Sequence, residues 1–497
     1  MFRLLEATID DIHAAMRAGE ITCRQLVERY VNRIEAYDHK GPALNAIQTL
    51  NERAAEEAER LDAAFARSGP VGPLHGIPVL VKDQVETRDL PTTYGSALFR
   101  GFQSGRDAAA VERLRAAGAV ILAKTTMGEF ASGFIGSAFG VCRNPYDPAR
   151  EPGGSSCGSG VGVAANFGVV AIGEDTFGSI RNPAARNSLV GLRPTVPLVS
   201  RFGMMPATPS QDTLGPLART VRDTALLLDV LAGYDPRDPV TAQCVGQVPP
   251  SYTAFLDTAS LRGMRLGVIR EPLSEDTDPT AADYAQVWAA MDEALRALAA
   301  AGAEIVGPVA IPGLRDLLRR SAGSYEAEAA VDAYLAAHPT APVKSVREIV
   351  LSAEVVPSRR ARFLEDLGHT TSDQGYLQQL LARAELRQAI LTALADHQLQ
   401  ALVYASFDHA PEVIPADILS IPRRIAARGA NRALASYLGY PAISVPAGFT
   451  PPGLPVGIEF LGRPFAEGTL LQSAYAYEQA THHRRPPAST PALAGEP

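Results

Sequence analysis

The sequence is short of the features that mark several protein classes. It has four cysteines in 497 residues, Cys23, Cys142, Cys157 and Cys244, with no CxxC pair and no Cys/His cluster at metal-ligand spacing. That argues against a disulfide-stapled fold and against a zinc site, and reduced thiols fit a cytoplasmic setting. No apolar run of about 18 residues occurs, so no membrane-spanning helix is expected. The start, MFRLLEATIDDIHAAMRAGE, lacks the basic end, apolar stretch and small-residue cleavage site of a secretory leader. A basic excess is missing too. The 46 Lys and Arg face 54 Asp and Glu, a formal charge of -8, whereas a nucleic-acid partner needs a basic face.

What is present is the composition of an ordinary globular protein, 46% apolar and 20% charged. Thr8 precedes Ile9, Ile12, Ala15 and Met16, and Thr22 with Gln25 forms a capping box ahead of Leu26, Tyr30, Val31 and Ile34. Residues 52–66 are rich in good helix formers. From Pro70 the texture changes. Ile77–Val81 is a short apolar run closed by Lys82 and Asp83, the pattern of a buried strand. A helix over 107–117, Gly118 and a strand over 120–123 follow, and the same phrase recurs at 291–307. Further strands are expected at 266–269, 402–404, 443–445 and 456–460.

Strands alternating with helices predict an α/β fold, one large domain around a sheet buried on both faces. We divide the chain into N-terminal helices (1–70), a core (71–235), a variable, largely helical substrate-side region (236–425), a C-terminal part of the core sheet (426–483) and a loose tail (484–497). Residues 225–260 read as a connection. Arg219 and Asp223, four apart on a helix, predict an ion pair. The Arg-rich pieces at 359–363 and 422–432 read as solvated helix faces.

Two glycine-serine loops stand out, EPGGSSCGSG at 151–160 and GEDTFGSIRNPA at 173–184. A phosphate-binding loop would need a lysine after its second glycine, and none is there. Gly154 to Gly158 fits the G-x-S-x-G nucleophile elbow with Ser156 as nucleophile. That motif requires a preceding strand, and CRNPYDPAREP, with three prolines and four charges, is not one. A third reading joins the loops to Lys82. A helix over 156–167 and a strand over 169–172 would return Ser179 beside Ser155. A serine hydroxyl needs a base, and a lysine serves when neutral, the form that burial favours.

The run Gly153–Thr195, the segment GIPVLVKD, the stretch QDTLGPLARTVRD (211–223) and the late blocks YPAISVPAGF and GLPVGIEFLGRPFAEGTLLQSAYAYEQ together resemble the amidase signature family, over about residues 5–235 and 425–480. The resemblance implies an α/β/α domain around a mixed sheet of about eleven strands, with a helical insertion or cap. It implies Ser179 as acylated nucleophile, Ser155 as the bridging serine after a cis peptide bond, and Lys82 as base. The N–H groups of Thr176, Phe177, Gly178 and Ser179 would form the oxyanion hole. Asp175 and Arg181, with Ser156, would support the loop, and Met127, Phe177 and Gly154 would line the substrate cleft. Neither a metal nor an organic cofactor is required.

Two positions depart from the family pattern. Cys157 and Phe177 stand where the family usually has glycine, and a positive φ at Phe177 would be strained. Cys157 reads as a buried filler and Phe177 as a residue that narrows the acyl pocket. The implied activity is hydrolysis of carboxylic amide C–N bonds. Carbamate or ester hydrolysis, a glutamine-hydrolysing amidotransferase subunit, and a non-catalytic binding protein are the alternatives. The partner is a small amide, carbamate or ester, and the chain is a monomer or homodimer. With Lys82 as base the rate should rise with pH until the lysine is neutral, a trend that a pH–rate profile with chemistry rate-limiting will check.

Overall fold

The computed structural model describes residues 2–259, 261–422 and 427–496. Its centre is one mixed sheet of eleven strands: β1 (Ile47–Leu50), β2 (Pro78–Lys82), β3 (Val120–Thr125), β4 (Val170–Asp175), β5 (Val190–Arg193), β6 (Thr213–Ala218), β7 (Arg265–Val268), β8 (Glu304–Val306), β9 (Ala401–Ala405), β10 (Ala442–Phe449) and β11 (Pro455–Leu461). The spatial order is β1-β3-β2-β4-β6-β5-β10-β11-β9-β7-β8. Every residue of β2, β3, β4, β5, β6, β9 and β11 is buried. Strands covered on both faces read as near-continuous apolar runs, which is why most were visible in the sequence.

Helices cover the sheet. Thr8 and Thr22 cap Ile9–Arg17 and Cys23–Tyr37, each with a reciprocal capping box closed by Asp11 and Gln25. The helix Cys157–Ala164 is built of small residues, is wholly buried and packs against β2 and β4. Between β8 and β9 lie five helices, Leu314–Ser321, Ala327–Ala336, Val346–Leu351, Pro357–Asp366 and Gln374–Asp396.

Strand register positions the site. β2 runs parallel to β4, with Val79 opposite Val170 and Val81 opposite Ile172. Lys82 therefore ends its strand beside the 173–175 end of β4. β4 also pairs antiparallel with β6, Asp175 opposite Thr213, which brings Asp212 to the same edge.

Some expectations need correcting. β1, β5 and β6 were not foreseen: β1, IQTL, is half polar and lies at the sheet edge, antiparallel to β3, while glycine and arginine in VGLR and glycine and proline in TLGPLA break up the apolar runs of β5 and β6. Residues 225–260 begin with the end of the helix Val221–Leu231 before short turns take over. Arg219 and Asp223 form no direct ion pair. Arg219 donates to the carbonyls of Ala7, Val163 and Gly168, while Asp223 accepts from the Ile9 N–H. Burial pushes the Asp223 carboxyl up to about 6, against the nearby Arg219 charge and the donors at Ile9 and Thr220.

The 484–497 segment is docked rather than loose over its described length. Arg33 is fully buried and donates to the carbonyls of Thr490 (2.8 Å) and Pro491 (2.9 Å), to Glu496 (3.1 Å), and to the carbonyls of Ala165 and Asn166. Polar tail composition hid this, because the anchor lies more than 450 residues away in sequence. Arg33→Met should lower unfolding stability by about 3 kcal/mol, since it strands buried carbonyls and a carboxylate. Urea denaturation of the two proteins will measure this.

Candidate active site

Lys82 is wholly buried. Its Nζ donates to Ser155 Oγ at 2.8 Å, to Glu174 Oε2 at 2.9 Å and to the Glu174 carbonyl at 3.3 Å. The peptide bond Gly154–Ser155 is cis. Ser155 and Ser179 both line an open cleft of about 770 Å³, whose wall also includes Gly154, Thr176 and Phe177. No hydrogen bond joins the Ser155 and Ser179 hydroxyls directly, and Ser155 Oγ is held by Lys82 instead. Gly154 leaves no room for a side chain, because a Cβ there would lie 2.0 Å from the Gly133 carbonyl oxygen.

The loop carrying Ser179 is held by Asp175. Its Oδ1 accepts from the Gly178 N–H (2.8 Å) and Arg193 (2.7 Å), and its Oδ2 from the Ile180 N–H (3.2 Å) and Arg181 Nε (3.1 Å). Burial alone would raise this carboxyl, but the Arg181 and Arg193 guanidiniums outweigh it and hold Asp175 well below the usual carboxylate range. Arg181 goes on to Glu459 on β11 (2.5 Å) and to Ser436 (3.0 Å), tying the loop to the C-terminal strands.

The Gly178 N–H, expected in the oxyanion hole, is instead taken by Asp175. The N–H groups of Thr176, Phe177 and Ser179 have no acceptor among the described residues and are the remaining candidates. The left-handed turn falls on Gly178, at φ +89°, and Phe177 keeps an ordinary backbone. Its ring packs 5.2 Å from that of Tyr437, with the Arg432 guanidinium 4.8 Å from its centre.

Ser156 is not in the cleft. Its Oγ bridges the Glu174 N–H and carbonyl, both at 3.2 Å, and its N–H donates to the Ser179 carbonyl, so it pins the two loops together. Cys157 is buried in the core with its thiol facing the Thr126 carbonyl. Met127 lines only a side cavity of about 20 Å³ that shares Phe130 and Arg359 with the cleft. The piece 359–363 is no solvated face: Arg359 lies over the Phe363 ring at 3.9 Å and both line the cleft. Of the 422–432 piece, residues 423–426 lie outside the described residues, and Arg432 is a cleft residue. No group of three or more His, Cys, Asp or Glu suited to a metal ion occurs among the described residues. No described helix is long and apolar enough to cross a membrane.

A family model described as Amidase matches residues 25–471. The chain belongs to the amidase signature family. A probable amidase of Arabidopsis thaliana is 34% identical, over 98% of this chain and 92% of that protein. A glutamyl-tRNA(Gln) amidotransferase subunit of Symbiobacterium thermophilum is 37% identical, over 95% of this chain and 96% of that one. Among solved structures, a peptide amidase bound to the competitive inhibitor chymostatin superposes with a TM-score of 0.88 at 38% identity, covering 97% of this chain and 99% of that one. The native peptide amidase of Stenotrophomonas maltophilia gives 0.85 at 38%, covering 98% and 99%.

Within this amidase-family site the sequence reading missed four acidic residues. Glu174 and Asp212 flank Lys82 and Thr176. Glu151 accepts from the Gly153 N–H at 2.6 Å and pairs with Arg186 at 2.7 Å. Glu459 receives Arg181. A carboxylate within an otherwise apolar strand demands a buried cation or donor, and Glu174 and Glu459 both carry that signal.

Asp175→Asn should lower stability by about 3 kcal/mol near neutral pH, because it leaves two buried guanidiniums short of a partner. The Asp175 carboxyl is depressed in the fold. Its contribution is therefore present above about pH 4, the unfolded carboxyl's range, and fades as the pH falls further. Denaturation curves of both proteins from neutral to acid pH should converge.

Proposed function

We propose that this chain is a serine hydrolase of linear carboxylic amides, using Ser179 as nucleophile, Ser155 as proton bridge and Lys82 as base. The observation that carries this is the 2.8 Å contact from Lys82 Nζ to Ser155 Oγ in the wall of the cleft that also holds Ser179. Ser179 Oγ attacks the carbonyl carbon while its proton passes to Ser155 and that of Ser155 to Lys82. The N–H groups of Thr176, Phe177 and Ser179 receive the developing oxyanion without a charged side chain. The tetrahedral intermediate collapses, the amine leaves with the returned proton, and water then hydrolyses the acyl-enzyme by the same route.

Substrate choice follows from the cleft. Its volume of about 770 Å³ suits a chain-like acyl group rather than a two-carbon amide. Its walls combine rings (Phe130, Phe177, Phe407, Tyr437) with charges at Arg359 and Glu412. The similarity to peptide amidase supports peptide C-terminal amides as the first substrates to examine. Carbamates and esters pass through the same kind of intermediate. The amidotransferase relatives favour a second reading, in which the triad frees ammonia from glutamine for a partner.

A fluorophosphonate probe followed by peptide mapping should label Ser179 alone, and Lys82→Ala should abolish the label. Labelling of Ser156 would overturn the assignment. Turnover of peptide amides by the isolated chain, with no glutaminase activity, would separate the stand-alone enzyme from the partner-dependent one. Phe177→Gly should widen acyl-group tolerance, and kcat/KM measured across a series of acyl lengths should change by about tenfold for the bulkiest members. An unchanged profile would remove Phe177 from the acyl pocket.

A further inference from the structure

Lys82 faces a carboxylate that the triad chemistry does not use, and that carboxylate begins a chain of polar groups. Glu174 takes the Lys82 ammonium on Oε2 at 2.9 Å, and its Oε1 lies 2.6 Å from Thr176 Oγ1. The same hydroxyl lies 2.7 Å from Asp212 Oδ1. A threonine hydroxyl has one hydrogen, so it cannot donate to both carboxyls at once. Whenever both links are made, one carboxyl carries a proton.

The far end of the chain is a second opening. Asp212, itself fully buried, lies in the wall of a pocket of about 260 Å³ that shares no residue with the cleft. Arg106, Arg201 and Arg237 surround it with Asp238 and Tyr334. Residues 207, 208 and 211 face the cleft and 206, 209 and 212 face this pocket, so one loop divides the two. Burial, and then the Glu174 charge, push the Asp212 carboxyl up to about 6, with the Thr176 hydroxyl and the Ala207 and Thr208 N–H groups acting against them. A group there gains and loses a proton near neutrality.

We propose that Glu174, Thr176 and Asp212 form a proton relay that carries the proton of Lys82 away from the substrate cleft to the Asp212 pocket. The relay rests on Lys82 as base in the hydrolase reading. A lysine that arrives as an ammonium has to shed one proton before it can receive that of Ser155. An Nζ–H bond breaks as Glu174 Oε2 takes the proton. After a half-turn the carboxyl offers it to Thr176 Oγ1, whose own hydrogen passes to Asp212 Oδ1. Asp212 releases a proton to water in the pocket. Lys82 ends neutral, and Glu174, Thr176 and Asp212 return to their starting protonation. Glu174 and Asp212 are positioning and relay residues: Glu174 meets the base at Lys82 Nζ, and neither lines the substrate cleft.

The test uses the full chain with a peptide amide that it turns over. Asp212→Asn keeps the acceptor for the Ala207 and Thr208 N–H groups but cannot carry a proton. Thr176→Val removes only the hydroxyl, so it serves if the first variant folds poorly. Each should lower kcat by at least about tenfold with KM unchanged. Added imidazole, a small carrier that the pocket can admit, should restore kcat in Asp212→Asn and leave the parent unaffected. The acid limb of the parent's kcat profile should move in that variant. A variant turnover equal to the parent's overturns the relay, as does a lowered one that imidazole does not restore. Ser179 labelling separates the readings. An unlabelled parent overturns the hydrolase reading and the relay with it, whereas normal labelling without rescue overturns the relay alone.

Discussion

The site depends on one buried carboxylate. Asp175 ends a core strand, and its two oxygens gather two backbone N–H groups of the next loop and two guanidiniums from elsewhere in the chain. A lone carboxylate at that depth would be too costly to keep ionised. Here the arginines make the charge favourable, and the charge in turn fixes the loop. The arrangement therefore couples charge satisfaction to the placement of Ser179. Because Arg181 also reaches Glu459, the loop carrying Ser179 is referenced to a strand contributed from almost 280 residues later in the chain.

A second buried charge pair, Lys82 with Glu174, has a different character. The Asp175 cluster is saturated by arginines, which do not give up protons, and so it is a fixed structural element. Lys82 and Glu174 pair in a site where neither meets solvent, and Lys82 also donates to Ser155. One charge cluster thus holds the loop, and the other pair sits beside Ser155. The two sets meet at consecutive residues, 174 and 175, and so share one strand end.

Much of the fold was legible because the core strands are short apolar runs and the first two helices announce themselves with capping boxes. Lys82, Ser155 and Ser179 could be named as candidates through motif order, which sequence alone preserves, and the structure brings Lys82 to Ser155 and puts both serines in one cleft. Much of what escaped depends on a partner far along the chain. Strand β1 is half polar and needs β3 to complete it. The segment after 484 needs Arg33. Gly178 looked like an oxyanion donor until the Asp175 carboxylate was seen to occupy it. Phe177 looked strained until the positive φ proved to lie one residue further on. Arg359 looked like a solvated helix face, since its period fits one, but it turns toward the cleft over an aromatic ring. Residue type at a single position sets chemistry; which atoms remain free to perform it is decided by tertiary neighbours.

The variable middle of the chain is not an appendage. Three of its segments, β7, β8 and β9, complete one edge of the central sheet. The helices that reach over the cleft leave the sheet after β8 and re-enter it at β9, two strand positions away and so about 10 Å apart. Both ends of that excursion are clamped into the same rigid layer. For chimeras between relatives, this defines a natural exchange unit: residues 307–400 could be swapped with its two anchor points held, whereas cutting at the outer limits of the region would remove a sheet edge along with the specificity elements.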